Sequence, residues 1–315
     1  MSAKYMRTVP LRSQNAGDDL MKIFKKAQLL YTWACTDTKT TAAIDITNSC
    51  NLKCTHCYWW KEERPAELND DAMVAFMKGL RTRGMTAAII YGGEPMLRPG
   101  MCEAASRIFD HPLIFTNGTQ GFIPINAQWI VSLDGTREVH DSIRGPGAYD
   151  CAVENVRKAP RKPVVHTTIT RQNRHNLEGM LDSLSSLPIK GVGFSFYTPH
   201  MNGDTDNLAV SLVERDLVLD ELLSLRKKYW RIMGLTGIMA NQFRQGGEYA
   251  AWNSREKCPV SKVCNCYNAD GTPKPCTYGA MADCSRCGCA SIPLYRAAIR
   301  HFDPLAIFMI YRMVN

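Results

Sequence analysis

At 315 residues, with 45% hydrophobic and 22% charged side chains, the chain has the composition of a folded globular protein rather than a disordered or fibrous one. A formal net charge of +8 is spread along the sequence; it suits an anionic partner (phosphate, carboxylate or membrane headgroup) without indicating nucleic acid. Thirteen cysteines and no signal peptide point to a reducing cytoplasm and to metal rather than disulfides, and no apolar run approaches the roughly 20 residues that span a bilayer.

Residues 1–15 show no periodicity and read as a loose arm. Residues 18–33 predict an amphipathic helix, with Leu20, Ile23, Phe24, Ala27, Leu30 and Tyr31 on one face and Lys22, Lys25 and Lys26 on the other. That helix either packs on the core or lies on a membrane surface with its basic residues toward headgroups. From residue 42 onward, strands are expected over 42–47, 87–91, 113–116, 129–133, 164–170 and 193–197, with helices between them over 70–83, 100–109, 148–158 and 176–187. Six such units in succession imply a parallel sheet covered by helices, with its chemistry at the carboxyl ends of the strands. Periodicity alone does not separate an open barrel from a doubly wound sheet.

A polar loop follows over 201–210, then a helix over 212–230 that closes the side of the sheet. The tail over 292–314 reads as helical, with Leu294, Ala297, Ala298, Leu305, Ile307, Phe308 and Ile310 apolar, Arg296, Arg300 and Arg312 basic, and Pro304 as an interruption. Two amphipathic basic ends suggest peripheral membrane contact and a lipid-like substrate, beside the plainer reading of core packing.

Cys50, Cys54 and Cys57 fall on one loop directly after the first strand. Thiolates are the soft ligands of iron–sulfur clusters, and three of them hold three irons of a 4Fe–4S cube while leaving the fourth open. A zinc knuckle is the competing reading, but zinc asks for four ligands and no fourth partner stands at zinc-finger spacing. Further polar stretches end later strands: Gly92-Gly93-Glu94-Pro95, Thr116-Asn117-Gly118-Thr119, Ser132-Leu133-Asp134-Gly135 and then His140-Asp141-Ser142-Ile143-Arg144-Gly145. Two glycines allow close backbone approach and a strand-end Glu accepts from an ammonium group. Thr168, Thr170 and Arg171, then Ser195, Tyr197 and His200, come from the fifth and sixth strands and would supply further cavity-lining groups.

The Cys-x3-Cys-x2-Cys spacing and these segments together resemble the radical S-adenosylmethionine (SAM) family. The resemblance implies a partial (β/α)6 TIM-like barrel, a catalytic 4Fe–4S cluster on Cys50, Cys54 and Cys57, and SAM bound at the open iron. It implies that Gly92, Gly93, Glu94 and Pro95 grip the methionine amino group, that Asn117 sits in a loop beside the cofactor, and that Ser132 and Asp134 reach the ribose. His56 stands where the family places an aromatic near the adenine; Tyr58 and the Trp59–Trp60 pair offer stacking surface, or simple packing. Thr168 completes the expected cofactor set.

Seven more cysteines crowd residues 258–289. Cys258, Gly271, Cys276, Cys284 and Cys287 resemble the auxiliary-cluster segment of the SPASM/twitch branch of that family, in its shorter single-cluster form. The implied ligands of a second 4Fe–4S cluster are Cys258, Cys276, Cys284 and Cys287, with Cys264, Cys266 and Cys289 as substitutes; a structural zinc site is the alternative.

The sequence thus predicts an α/β protein in five parts: an arm and helix (1–40), the partial barrel (41–200), a loop and closing helix (201–257), a small Cys-rich twitch-type module (258–290) and a C-terminal helix (291–315). The expected activity is that of a cytoplasmic radical SAM oxidoreductase or lyase. It would abstract hydrogen from a non-peptide metabolite or lipid-like substrate, with the auxiliary cluster as electron acceptor and a flavodoxin or ferredoxin as external donor. Peptide maturation (of the RiPP type) is the second enzymatic reading. A non-enzymatic iron–sulfur or zinc protein that binds RNA is the reading of another class; it asks for an aromatic and basic strand face that the sequence does not display.

Overall fold

The computed structural model describes residues 16–36, 38–61, 63–201 and 207–313. The expected arm over 1–15, the centre of the loop at 202–206, the tail position Val314 and the side chains of Leu20 and Lys22 lie outside that description. α1 (Ala16–Cys35) leads into β1 (Thr41–Asp45), after which α2 (Asp70–Thr82), β2 (Ala87–Tyr91), α3 (Pro99–Ile108) and β3 (His111–Thr116) alternate. β4 (Gln128–Ser132) is followed by two helices, α4 (Arg137–Arg144) and α5 (Ala148–Lys158), then by β5 (Val164–Ile169), α6 (Leu177–Ser185) and β6 (Gly191–Phe196). Next come α7 (Leu212–Leu225), α8 (Gly237–Phe243) and the short α9 (Val260–Val263). β7 (Cys264–Tyr267), β8 (Pro273–Lys274), α10 (Ser291–Ile299) and α11 (Pro304–Met313) complete the described chain.

The six strands expected from sequence all form, and β1 to β6 stand in chain order with every neighbouring pair parallel. Crossovers between parallel neighbours are as a rule right-handed, which puts the connecting helices on the outer face. α2 turns Met73, Met77 and Leu80 inward at helical spacing, and α6 does so with Leu177, Met180, Leu181 and Leu184. Along the strands the period is two. Ile44, Ile90 and Ile114 face the helices, while Ile89, Tyr91, Phe115, Ser132, His166, Thr168 and Ser195 face the interior of the curved sheet.

The Cys-rich segment does not stand apart from the barrel. β7 extends the sheet by pairing parallel with the free edge of β1, Ala43 opposite Cys266, and β8 turns back antiparallel on β7. At the other edge, the Phe196 N–H of β6 donates to the Gly288 carbonyl at 3.0 Å, and the Gly288 N–H donates to Thr198 Oγ1 at 2.9 Å. A Cβ at Gly288 would lie 1.9 Å from the Phe196 carbonyl oxygen, so only glycine permits this approach. The segment therefore spans the open side of the sheet from β1 to β6.

Two expectations change. The packed face of α1 is rotated: Lys26 and Leu29 are buried, the Lys26 ammonium lying 4.0 Å from the Tyr311 ring centroid, whereas Ile23, Phe24 and Tyr31 are exposed. A lysine stem can cover apolar surface while its charge meets an aromatic face, and periodicity does not reveal that choice. The helix expected over 212–230 ends at Leu225, because the following turn feeds the Ile232 carbonyl to the Val192 N–H of β6 at 2.7 Å. The tail divides into α10 and α11 at Pro304, as the proline requires.

Candidate active site

The cavity enclosed by the sheet measures about 620 Å³, within the usual range for small-molecule sites of roughly 300–1,000 Å³. At the carboxyl ends of the strands it is lined by Cys50, Cys54 and Cys57. The loop carrying them is built by backbone bonds. The Cys57 N–H donates to the Cys54 carbonyl at 3.0 Å, the Thr55 N–H to the Ile143 carbonyl at 2.8 Å, and the indole N–H groups of Trp59 and Trp60 to Asn48 and Cys54 carbonyls at 2.9 and 3.0 Å. The Trp pair thus closes the cysteine loop as well as facing the cavity.

The glycines of Gly92-Gly93-Glu94-Pro95 serve this loop directly. A Cβ at Gly92 would stand 2.5 Å from the Thr47 carbonyl oxygen, and one at Gly93 would stand 2.2 Å from that of Ser49. Gly93 N–H and Glu94 N–H donate to those same two carbonyls at 2.9 and 2.8 Å. The close approach anticipated for a ligand is made first to the chain's own cysteine loop.

Glu94 is buried and accepts from Met96 N–H at 2.9 Å, Thr116 Oγ1 at 2.7 Å and Asn117 N–H at 2.7 Å. A carboxylate offers about four acceptor positions, so one remains for a donor in the cavity. Burial lifts its pKa above the ordinary carboxylate value, against the opposing pull of the Asn117 and Met96 N–H groups. Asn117 joins the cysteine loop through Nδ2 to Asn51 Oδ1 at 2.9 Å.

His56, Tyr58, Gly92, Gly93, Glu94, Pro95, Asn117, Ser132 and Thr168 all line the cavity, as do Ser195 and Tyr197. Asp134 does not. Its carboxylate is fully buried behind Arg144, taking Arg144 Nε at 2.6 Å and the Thr168 N–H at 2.8 Å, with His56 Nε2 at 3.9 Å. Burial alone would raise its pKa; Arg144, His56 and His140 outweigh that and bring it down to about 2. Thr170 is buried against Asn173, Arg171 turns outward to Glu214, and His200 packs on Tyr58 with ring centroids 5.0 Å apart.

Arg144 is the site residue to which sequence reasoning gave no role. It lines the cavity and reaches Cys54 Sγ with Nη1 at 3.8 Å, while the Leu52 N–H faces Cys50 Sγ at 3.5 Å. The signal was present in the His140–Gly145 run, which forms most of α4. Donors aimed at sulfur, and one buried cation beside three thiols, fit a thiolate-bound cluster of negative charge. As free thiols the three are held protonated: burial raises all of them, Cys57 to about 11. Among the described residues no three His, Cys, Asp or Glu side chains are drawn tightly enough for a single metal ion. A cuboidal cluster, giving each thiolate its own iron, spaces its ligands more widely.

The second cysteine group lies on the bridging segment. Cys276 is within electrostatic reach of Cys266, Cys284 and Cys258, and its pKa is pushed up to about 11, chiefly by burial. Cys289 lines the cavity, unlike Cys258, Cys276, Cys284 and Cys287. Arg215 on α7 is fully buried and has no carboxylate partner among the described residues; it donates to the Arg286 and Cys287 carbonyls at 2.6 and 2.9 Å. Tyr58 ties the two cysteine regions together, donating from its hydroxyl to the Thr277 carbonyl at 2.8 Å. Lys274 of β8 forms a buried ion pair with Asp45 at the end of β1.

The Radical SAM superfamily model matches residues 44–187. Among curated proteins, the Fe-coproporphyrin III synthase of Methanosarcina barkeri is 28% identical over 202 residues, covering 59% of this chain and 49% of that protein. The mycofactocin maturase MftC of Mycobacterium tuberculosis is 31% identical over 151 residues, 42% of this chain and 39% of that protein. The chain thus spans about half the length, or less, of these relatives. Among solved structures, SuiB of Streptococcus suis bound to precursor peptide SuiA shares the fold, with a TM-score of 0.59 at 14% identity over 91% of this chain and 72% of that one. Residues 44–187 are thus a radical SAM domain, the kind whose cofactors are a 4Fe–4S cluster and SAM.

Proposed function

We propose that the chain is a radical SAM oxidoreductase or lyase that takes a hydrogen atom from an apolar, non-peptide metabolite or lipid-like substrate. When bound at Cys50, Cys54 and Cys57, the cluster and SAM supply a 5′-deoxyadenosyl radical. Glu94 offers its remaining acceptor position to the methionine ammonium, and Asn117, Ser132 and Thr168 present polar groups to the rest of the nucleotide from the ends of β3, β4 and β5. Arg144, positioned by Asp134, balances the charge of the cysteine loop. His56 and Tyr58 flank the adenine.

The observation that carries the substrate reading is the cavity itself. Below the polar ring it continues through Ile89, Leu113, Phe115, Val164, Phe194 and Ile232, an apolar chamber that excludes water and orients a hydrocarbon. The cysteines at 258, 276, 284 and 287 are proposed to hold an auxiliary 4Fe–4S cluster that accepts the electron of an oxidised substrate radical. Arg215 supports it, because a buried guanidinium with no carboxylate calls for a nearby anion, which a thiolate-bound cluster provides. The working setting is proposed to be the cytoplasm, with a flavodoxin or ferredoxin as donor; thirteen unpaired cysteines support a reducing compartment. No helix among the described residues is long and apolar enough to cross a membrane.

Kinship with the maturase MftC favours peptide modification as the second reading. One experiment separates the two. Protein reconstituted anaerobically is given SAM, reductant and extracts of deuterium-grown cells, split into lipid and peptide fractions. Deuterium in 5′-deoxyadenosine from the lipid fraction alone supports the first reading. Label from the peptide fraction alone supports maturation.

A further inference from the structure

The cavity has a second end. Lys190 stands immediately before β6, at the amino ends of the strands and opposite the cysteine loop, and the cavity lining there includes Lys190, Arg231 and Arg312. The three converge through the backbone: Lys190 Nζ donates to the Arg312 carbonyl at 3.2 Å, and Arg231 precedes the Ile232 carbonyl that bonds Val192. None of them pairs with a carboxylate among the described residues; the other partner of Lys190 is the neutral Gln128 side chain. Burial first, and then Arg161, Arg312 and Lys26, lowers the Lys190 pKa to about 8.

Each arginine is also braced on an exposed aromatic at the same mouth. Arg231 lies 5.5 Å from the Trp230 ring centroid and Arg312 lies 5.6 Å from that of Phe308, while Trp230 is 67% and Phe308 50% exposed. A guanidinium stacked in this way keeps its N–H edge available for an anion. Behind the mouth the lining is apolar, through Met233, Leu294, Leu305 and Met309.

We propose that this mouth is an anion-recognition subsite in which Lys190, Arg231 and Arg312 hold the phosphate or carboxylate end of the substrate, its apolar body lying in the cavity. The inference rests on the cavity being the substrate chamber. It adds an orientation: a charged head is costly to bury in the apolar chamber and is stabilised at the cationic mouth, so the end presented to the cysteine loop is the apolar one. With β6 six residues long, roughly 20 Å separates the two ends at ~3.3 Å per residue. Hydrogen abstraction then falls on a carbon remote from the anionic group.

Calorimetry with dodecyl phosphate, dodecanol and inorganic phosphate, all at submicellar concentration, tests the subsite. Dodecyl phosphate is expected to bind at least about tenfold more tightly than dodecanol, and the Lys190→Gln/Arg312→Gln double variant to lose that advantage while binding dodecanol unchanged. Equal binding of phosphate and alcohol by the wild type, or full retention of dodecyl phosphate binding by the double variant, overturns the proposal. So does sedimentation with phosphatidylglycerol vesicles without binding of monomeric dodecyl phosphate, which would make the mouth a membrane-docking surface. The parent reading is checked separately: reductive SAM cleavage by the double variant shows the radical machinery standing whichever way the subsite result falls.

Discussion

Arg144 concentrates the electrostatics of the site in one side chain, since it compensates Asp134 and faces Cys54 at once. Replacing it with Met strands a buried carboxylate, and a loss of about 3–5 kcal/mol of stability is expected in thermal or denaturant unfolding. Adding Asp134→Asn should recover most of that stability without restoring SAM cleavage, which separates folding from function. Arg215→Met should shift the reduction potential of the proposed auxiliary cluster to more negative values, because a nearby positive charge favours the reduced state; a potentiometric titration followed by electron paramagnetic resonance reads it. Two buried histidines make a pH prediction. His140 and His166 are held neutral, first by burial, with pKa values lowered from 6.5 to about 4. The unfolded chain binds more protons between those limits, so stability is complete above about pH 6.5 and falls as the pH drops toward 4, by about 3 kcal/mol for each histidine. His140→Gln should flatten that dependence in unfolding measured across the range.

At the level of elements, the bridging segment decides whether the sheet can enclose a cavity. Gly288→Ala places a methyl group 1.9 Å from the Phe196 carbonyl oxygen, and loss of the β6 contact is expected, seen as a lowered melting temperature and faster hydrogen exchange at Phe196. Lys274→Ala leaves Asp45 buried without its partner, with a further expected cost of about 3–5 kcal/mol. The alternation of strands and helices was legible because β-branched and apolar runs ended at turn-forming residues; β2 and α5 have the bounds read from sequence. α4 was not legible as a helix, being eight residues long and largely polar, Arg137, Glu138, His140, Asp141, Ser142 and Arg144 included. The turn at Asn268–Gly271 was legible as the link of a short hairpin, which forms as β7 and β8, but the parallel pairing of β7 with β1 was not, since its partner lies far off in the chain. Of the site, the residues on strand-end motifs could be named in advance. The tasks of Arg144, Arg215 and Gly288 depend on partners 71 to 92 positions away, which local pattern does not contain.

Across the whole molecule, one cavity links a thiol-lined end to a cationic end through an apolar interior, and the bridging segment that closes it carries the second group of cysteines. Two clusters in this frame correspond to about eight irons per chain after anaerobic reconstitution, and Cys276→Ala should retain about four together with SAM cleavage while losing product formation. The account stands most directly on the Cys50–Cys54–Cys57 loop. Reconstituted protein given SAM and dithionite under strict anaerobiosis should yield 5′-deoxyadenosine, and Cys54→Ala should yield none. A wild-type protein loaded with iron and sulfide that makes no 5′-deoxyadenosine, or a Cys54→Ala variant that makes it at the wild-type rate, would contradict the account.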